Sequence, residues 1–586
     1  MYTQRWETSR REYGVAVERD VAIAMPDGTH LVGDIFRPDR PGRYPVILGC
    51  HPYNNELQTA PIRPIGYGPH RGFLEAGDPE FFVRRGYVHA IFNVRGTGKS
   101  QGLYQMMGPR EVADVAYLIG VLANMPWSSG RVGMFGVSYF AWLQAQVAAV
   151  HPEGLACIFA PFGATDFYRD VFYRGGILNH RFLVHWLHHV DNPRPFNWTR
   201  DRLGEQRYRQ ALAELRDDED LMGVEAIARA VASPELPRHQ LLLDVVLNSL
   251  DGDYYRERNV NYQEATVPAV VGGCWGMYGL HLPGGLRSFS QWKGPARLVV
   301  GPPLYLDRPV YQYQYYALRW FDTWLKDREV GIGEEPPVQL FIPPTGEWRF
   351  APKWPLEETR WTPFYLHERG LLSEHEFWPG EVPTRYEDST FLHGEATFWT
   401  PPLVEVTEVC GPVAVTLYAA TTDRELLLFA TLLVRGQDGT EEELTRGWLR
   451  ASQRLLDPSS PPWAPHLVHS RREMLVPGEV YELKFPLVAT ARLLRPGEQL
   501  GLRIKSADDE PARNRLQQVA RGGLWRQTPS RVTIFHDPEH PSELLLPVVR
   551  GNLIGTFLSG GVLPNVSPGG EPMGKIDRAK EWRSDQ

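Results

Sequence analysis

The sequence predicts a mostly parallel α/β sheet domain interrupted by a helical insertion, followed by an all-β domain. Three observations carry this. Short apolar runs alternate with helical periodicity through the first 150 residues and resume after residue 265; parallel strands need helical crossovers, so this alternation marks a doubly wound sheet. Between about residues 160 and 255 the pattern turns helical, aromatic and charged. Beyond residue 360, short β-rich segments are separated by Pro-Gly turns, the spacing of an all-β sandwich.

With 586 residues the chain is too long for one core. Hydrophobic residues make up 42% and charged residues 23%, enough apolar material for large buried cores. A net charge of -8 argues against a nucleic-acid or anionic membrane surface. No stretch reaches the roughly 20 apolar residues of a membrane span. The start, Met1-Tyr2-Thr3-Gln4-Arg5-Trp6-Glu7, is polar, unlike a secretion signal. We therefore expect a cytoplasmic protein with a small-molecule substrate and neither nucleic acid nor membrane as partner; homo-oligomerisation is left open. Cys50, Cys157, Cys274 and Cys410 are scattered and read as free buried thiols.

Taken in order, Val15 to Pro38 alternates around Pro26-Asp27-Gly28 and predicts a β-hairpin. Tyr44 to Cys50 is a short buried strand running into His51-Pro52-Tyr53-Asn54. A helix is expected near Pro79 to Arg85, then a strand from Tyr87 to Asn93. The following Arg95-Gly96-Thr97-Gly98-Lys99-Ser100-Gln101-Gly102 lacks the spacing of a phosphate loop and reads as a packed turn. Glu111 to Asn124 has helical period, and Pro126 to Gly130 ends it. Val132 to Phe135 is the next strand; Gly136-Val137-Ser138-Tyr139-Phe140 turns it into the helical pattern Ala141 to Val150. Such a turn can lift a serine oxygen above the sheet edge, although Phe140 stands where a second glycine is usual. Val267 to Gly272 and Ala296 to Gly301 resume the strands, and the amphipathic run Tyr313 to Lys326 closes the domain. The proline-rich stretch from Glu335 to Pro355 is expected to be a linker.

Several of these stretches together carry a family resemblance. They include Met25-Pro26-Asp27-Gly28, Pro52-Tyr53-Asn54, Asn93-Val94-Arg95-Gly96-Thr97-Gly98-Lys99-Ser100, and the run from Trp127 to Tyr139. Tyr255-Arg256-Glu257-Arg258, Leu318 to Lys326, Glu335-Pro336-Pro337-Val338 and Pro477 to Leu483 fit the same order. The chain resembles the cocaine esterase and X-prolyl dipeptidyl peptidase group of serine hydrolases. The resemblance implies an α/β-hydrolase core at 1–159 and 256–345, a helical cap at 160–255, and a C-terminal jelly roll of the galactose-binding type at 360–580. It also implies that Ser138 is the nucleophile, with the Tyr139 backbone N–H and the Tyr53 hydroxyl forming the oxyanion hole. Such donors stabilise the negative charge of a tetrahedral intermediate. No cofactor and no metal is implied.

Two positions depart from the family pattern. Gly276, in Gly272-Gly273-Cys274-Trp275-Gly276, stands where the catalytic carboxylate is expected, and Tyr305, in Gly301-Pro302-Pro303-Leu304-Tyr305, stands at the histidine. Alignment gaps do not restore them: no Asp or Glu lies between Glu264 and Asp307, and no His between His281 and His367. A serine without a base is a poor nucleophile near neutral pH. Three alternative acid/base groups are weighed. His281 lies in a glycine-rich loop, and a loop histidine is more often solvated; His51 sits two residues before Tyr53 and more often packs at a strand end; Tyr305, near Asp307, could donate a hydrogen bond or fill the imidazole's space. His180, His185, His188 and His189 share a cap helix without a carboxylate to complete a metal signature. Trp142, Phe172, Tyr173, Phe182 and Trp186 suggest a largely apolar ligand. Three functions stay open: acyl transfer from an ester, amide or thioester; a lyase, isomerase or cyclase reusing the oxyanion hole; and a non-catalytic binding or scaffold protein.

Overall fold

The computed structural model describes residues 7–55, 75–191, 193–302, 310–376, 380–389, 391–509 and 519–551. The first unit is built on strands β1 (Val15–Ala24), β2 (His30–Pro38), β3 (Tyr44–His51), β4 (Val88–Asn93), β5 (Ser128–Phe135) and β6 (Leu155–Pro161). Between them lie helices α1 (Pro79–Val83), α2 (Pro109–Ala123) and α3 (Tyr139–Ala148). A π-helical turn, Phe167–Phe172, and the hairpin of β7 (Tyr173–Arg174) and β8 (Ile177–Leu178) open the insertion. Its helices run from α4 (His180–Leu187) to α10 (Asp253–Arg256). The sheet resumes with β9 (Ala269–Cys274), α11 (Leu282–Gln291), β10 (Ala296–Gly301), α12 (Val310–Lys326), β11 (Val338–Ile342) and β12 (Glu347–Ala351).

The ten strands stand in the order β1-β2-β4-β3-β5-β6-β9-β10-β11-β12. From β4 to β11 every pairing is parallel, and the edges are antiparallel. Parallel strands covered by helices on both faces read as continuous apolar runs, and β4 and β9 are buried at every position. Strand order reverses at β3, which lies between β4 and β5. The carboxyl edge beside such a reversal is where open α/β sheets bind ligands. Tyr53 follows β3 and Ser138 follows β5, so the topology brings two candidates 85 residues apart to one edge.

The proline-rich stretch is not a linker. Val338, Leu340 and Ile342 are buried in β11, which pairs with β10, and β12 extends the sheet to residue 351. The prolines at 336–337 and 343–344 bracket the strand rather than interrupt it, a placement that sacrifices no ladder hydrogen bond. The glycine-rich turn is packed as expected: Arg95 Nε donates to Asp114 Oδ2 at 2.5 Å and Nη1 to Asp27 Oδ2 at 2.9 Å. All four cysteines are free and buried.

One glycine at the sheet's centre admits no substitute. Gly272 has φ +131°, and a Cβ there would lie 2.0 Å from the Val299 carbonyl oxygen of β10. That oxygen belongs to the ladder and cannot yield. Gly272→Ala is expected to lower stability by roughly 3 kcal/mol, read as a fall in the urea midpoint at unchanged m.

The second unit comprises β13 (Arg360–His367), β14 (Leu371–Ser373), β15 (Thr384–Asp388), β16 (Glu395–Trp399), β17 (Thr407–Thr421) and β18 (Leu427–Arg435). It continues with β19 (Glu441–Arg450), β20 (Tyr481–Leu494), β21 (Gln499–Lys505), β22 (Ser530–Phe535) and β23 (Glu543–Arg550). Because β23 pairs with both β13 and β17, the ring β17-β20-β19-β18-β21-β16-β14-β13-β23 closes on itself. Closure removes the exposed edges that an open sheet must defend. Phe364, Phe398, Val415, Phe485, Leu502 and Leu544 belong to this unit's own core. Charged side chains tie it to the insertion: Arg526 donates to Asp220 at 2.5 Å and to Asp423 at 2.5 Å. No helix of the described residues is long and apolar enough to cross a membrane.

Candidate active site

Strand β5 ends at Phe135 and the chain turns through Gly136 into α3, a sharp elbow that carries Ser138. Gly136 has φ +139°, and a Cβ there would stand 2.6 Å from the Phe140 Cβ, so glycine is what lets the turn close. Ser138 has φ 60° and ψ -124°. A non-glycine residue in such a region costs about 1–3 kcal/mol and persists only where its surroundings hold it. Here they do. Val137 N–H donates to Glu75 O at 3.0 Å and Ser138 N–H to Phe162 O at 3.2 Å; Ala141 and Trp142 N–H groups donate to Ser138 O at 2.9 and 3.0 Å. Within the run 136–140 Ser138 alone is half-buried; its neighbours are buried. Phe140, in place of a second glycine, stacks on His51 with ring centroids 4.8 Å apart.

Tyr139 is the first residue of α3, and its N–H has no acceptor among the described residues. An unsatisfied N–H at a helix start carries partial positive charge and favours an anion. The buried Tyr53 hydroxyl accepts from Trp186 Nε1 at 3.2 Å. An indole only donates, so the phenol proton is not used in that bond. The Tyr53 main chain is fixed as well: its N–H donates to His51 Nδ1 at 3.2 Å, and its carbonyl accepts from Asn93 Nδ2 at 2.8 Å.

The Tyr139 side chain turns into the protein, where its hydroxyl donates to Glu111 Oε1 at 2.6 Å and accepts from Tyr104 at 3.1 Å. Its ring lies edge-on to Tyr53, centroids 6.1 Å apart, and near-parallel to Trp186 at 6.2 Å. Burial pushes the Glu111 carboxyl up to about 7, against the pull of Tyr139 and the Met107 N–H. Glu111 thus positions Tyr139 without touching the edge where Ser138 stands. The sequence gives no cue to it, because a glutamate in the first turn of an amphipathic helix reads as an ordinary favourable N-terminal charge.

The alternative bases fare differently. His51 is completely buried, and desolvation pushes its imidazole down to about 3, so it packs at its strand end as the commoner reading has it. His281 is not a solvated loop residue. It is buried at the start of α11, with its ring 6.0 Å from Trp142 and 6.1 Å from Phe162, the residues that flank the elbow. Its Nδ1 has no hydrogen-bond partner among the described residues. Burial, then the charge of Arg174, pushes it down to about 3, where an imidazole is a weak base. Gly276 lies in the turn Trp275–Met277 after β9 and brings no side chain to the edge. Tyr305 and Asp307 lie outside the described residues.

In the insertion, His180 is buried edge-on against Trp525, and the exposed pair His185 and His189 meet at 3.2 Å between Nε2 atoms. Among the described residues no three metal-ligating side chains converge. Trp186 and Trp142 reach the elbow, whereas Tyr173 stacks on Tyr168 at 4.9 Å, donates to Val245 O and belongs to the insertion's core. Phe172 packs beside it against Phe167.

Known proteins are similar to this chain over most of its length. Residues 27–303 match the X-Pro dipeptidyl-peptidase (S15 family), and residues 330–545 match the X-Pro dipeptidyl-peptidase C-terminal non-catalytic domain. The cocaine esterase of Rhodococcus sp. (strain MB1 Bresler) is 25% identical over 598 residues, spanning 91% of this chain and 99% of that protein. A CocE/NonD family hydrolase from Staphylococcus aureus, 23% identical, superposes with a TM-score of 0.73 over 91% of this chain and 93% of the other. An α-amino acid ester hydrolase, 18% identical, does so at 0.71 over 93% and 98%. These two likenesses establish the fold, a hydrolase core followed by a β-barrel domain, over nearly the whole chain. With both of its domains matched in order and 91% of its length shared with an esterase, this chain belongs to the X-Pro dipeptidyl-peptidase (S15) family of α/β hydrolases.

Proposed function

We propose that Ser138 forms an acyl-enzyme with an ester, amide or thioester of a small, largely apolar molecule. In this reading the histidine and carboxylate that ordinarily activate the serine have been replaced, at Tyr305 and Gly276. The carrying observation is the backbone of Ser138: a non-glycine residue held at φ 60°, half-buried amid buried neighbours, at the start of a helix. Strain of that kind persists where function uses it.

In the reaction, Ser138 Oγ bonds to the carbonyl carbon while the carbonyl π pair moves onto oxygen. The Tyr139 N–H and the Tyr53 O–H receive that charge. The tetrahedral intermediate collapses by expelling the leaving group, which takes up a proton equivalent to the one Oγ loses. His51 and His281, held neutral with little basicity, do not assist this transfer. The pocket provides orientation and anion stabilisation, and the substrate's own leaving group provides the driving force.

A fluorophosphonate probe tests this. It is expected to modify the chain once, at Ser138, with labelling absent in Ser138→Ala; labelling of that variant, or none of the parent, sinks the reading. Full turnover of a natural substrate by Ser138→Ala would instead favour the non-hydrolytic use of the pocket. Tyr53→Phe keeps the ring and removes one donor. It is expected to slow labelling by about 10²–10³, with thermal stability falling by only about 1 kcal/mol for the lost Trp186 bond.

A further inference from the structure

A cavity of about 440 Å³ lies where the sheet domain, the hairpin of β7 and β8, and the barrel meet. None of Ser138, Tyr53, Tyr139 or Trp186 lines it. Its walls are aromatic and aliphatic: Trp354, Trp448, Trp463, Tyr278 and Leu286 face it. Three arginines, Arg169, Arg174 and Arg287, line it too, and they are not equivalent.

Two of the three are matched. Arg169 Nη1 donates to Asp166 and Asp251, each at 2.7 Å, and its Nη2 to Leu467 O at 2.9 Å. Arg287 Nη1 holds both oxygens of Asp170, at 2.8 and 2.7 Å. Arg174 is only 6% exposed, and its Nη2 is buried with no acceptor. It makes no ion pair among the described residues; its guanidinium carbon lies 5.3 Å from the centre of the Trp448 ring.

The carboxylate whose field reaches Arg174 most strongly is Asp508, and it is saturated. Asp508 Oδ1 accepts from Arg446 Nη1 at 2.6 Å and from Asp509 N–H at 2.8 Å; Oδ2 accepts from Gly522 and Gly523 N–H groups at 2.7 and 2.9 Å. Burial holds the two cavity histidines, His466 and His469, toward the neutral form. Arg174 therefore borders an apolar, aromatic cavity with no carboxylate partner among the described residues. Desolvation drags even this guanidinium down to about 9. Leaving a buried charge unmatched is costly, and an anion delivered by a ligand would relieve that cost.

We propose that this cavity binds a monoanionic aromatic carboxylate, its carboxylate on Arg174 and its ring among Trp354, Trp448 and Trp463. A planar guanidinium matches a carboxylate in two parallel hydrogen bonds. A single unmatched cation selects one negative charge over the two of a phosphate monoester. The volume falls within the range of small-molecule pockets. This site is independent of the chemistry at Ser138.

Calorimetric titration and thermal melts of the full chain with 2-naphthoate test the proposal, with 2-naphthamide as the neutral isostere. One equivalent of 2-naphthoate is expected to bind and raise Tm, and the amide to bind at least tenfold more weakly. Arg174→Met should lose at least tenfold in affinity for 2-naphthoate while melting, without ligand, no lower than the parent, because it removes an unmatched buried charge. Leu286→Trp, which fills the cavity and keeps Arg174, should also abolish binding. Absence of saturable binding, equal affinity for the amide, undiminished binding by Arg174→Met, or a ligand-free Tm of that variant several degrees below the parent would each overturn the proposal.

Discussion

A p-nitrophenyl ester is expected to release about one equivalent of nitrophenolate per chain in a burst, followed by turnover some 10⁴-fold slower than in a hydrolase with an intact relay. The two half-reactions demand different things. Acylation uses the positioned Ser138 oxygen, the anion-stabilising donors and a leaving group that needs no proton. Deacylation requires a water molecule to attack a serine ester, and that water needs a base. Loss of relay members costs on the order of 10⁴ to 10⁶ in related serine enzymes, leaving what binding and the oxyanion hole contribute. In the proposed reading this chain has lost both members, and the imidazoles of His51 and His281, both pushed down to about 3, are poor substitutes. Intact-mass measurement during the slow phase should find the acyl group on the chain, and Ser138→Ala should show neither burst nor adduct. Added imidazole should speed the slow phase. Linear release at full rate with no adduct would mean that a competent base reaches Ser138 after all.

The elements that the sequence makes legible are those whose signals are local. An apolar run, a Gly-x-Ser and a helical period lie within twenty residues, and β5, the elbow and α3 follow them. The meeting of Tyr53 with the elbow is not local. It depends on β3 lying between β4 and β5, and strand order comes from packing between elements rather than from any one of them. Only the resemblance to known sequences supplied it.

Two local readings failed for identifiable reasons. The glycines around His281 make it read as a loop residue, although Pro283 two residues on is a helix-start signal and Leu286 continues the period. The stretch from Glu335 to Pro355 reads as a linker by its proline content, yet prolines sit at the ends of β11, where the ladder does not need their N–H groups. Glu111 and Arg174 carry no signal at all. Glu111 matters through Tyr139, and Arg174 through having no carboxylate partner among the described residues.

Acidification is expected to unfold this protein between about pH 5 and pH 4, with net uptake of roughly three protons. His51, His89, His281 and His469 are all buried, and desolvation lowers each from 6.5 to about 3. His180 is lowered to about 4. A group whose folded pKa is depressed contributes stability above its unfolded pKa and loses it as pH falls toward the folded value. Below pH 6.5 the unfolded chain therefore binds these protons and the folded chain does not, at about 1.4 kcal/mol per group per pH unit. Glu111 and Asp244 oppose the trend. Burial raises them to about 7 and about 6, so their contribution is present at low pH and is lost as pH rises through those values. Two carboxyls offset two imidazoles, and the remainder is about 4 kcal/mol per pH unit, enough to exhaust a stability of about 6–10 kcal/mol, within the ordinary range, between roughly 1.5 and 2.5 units below pH 6.5. His89 isolates the effect. It sits in β4 among Phe82 and Phe135, ring centroids 5.7 and 6.3 Å away, and neither ring nitrogen has a hydrogen-bond partner among the described residues. His89→Phe should shift the acid midpoint downward and reduce the proton uptake by about one, since the group that must be charged on unfolding is gone. Near-UV circular dichroism against pH, with the proton count from calorimetry in buffers of different ionisation heat, measures both. A fold that keeps its stability down to pH 4 would mean that these imidazoles are already charged in the folded state, each with an anion beside it.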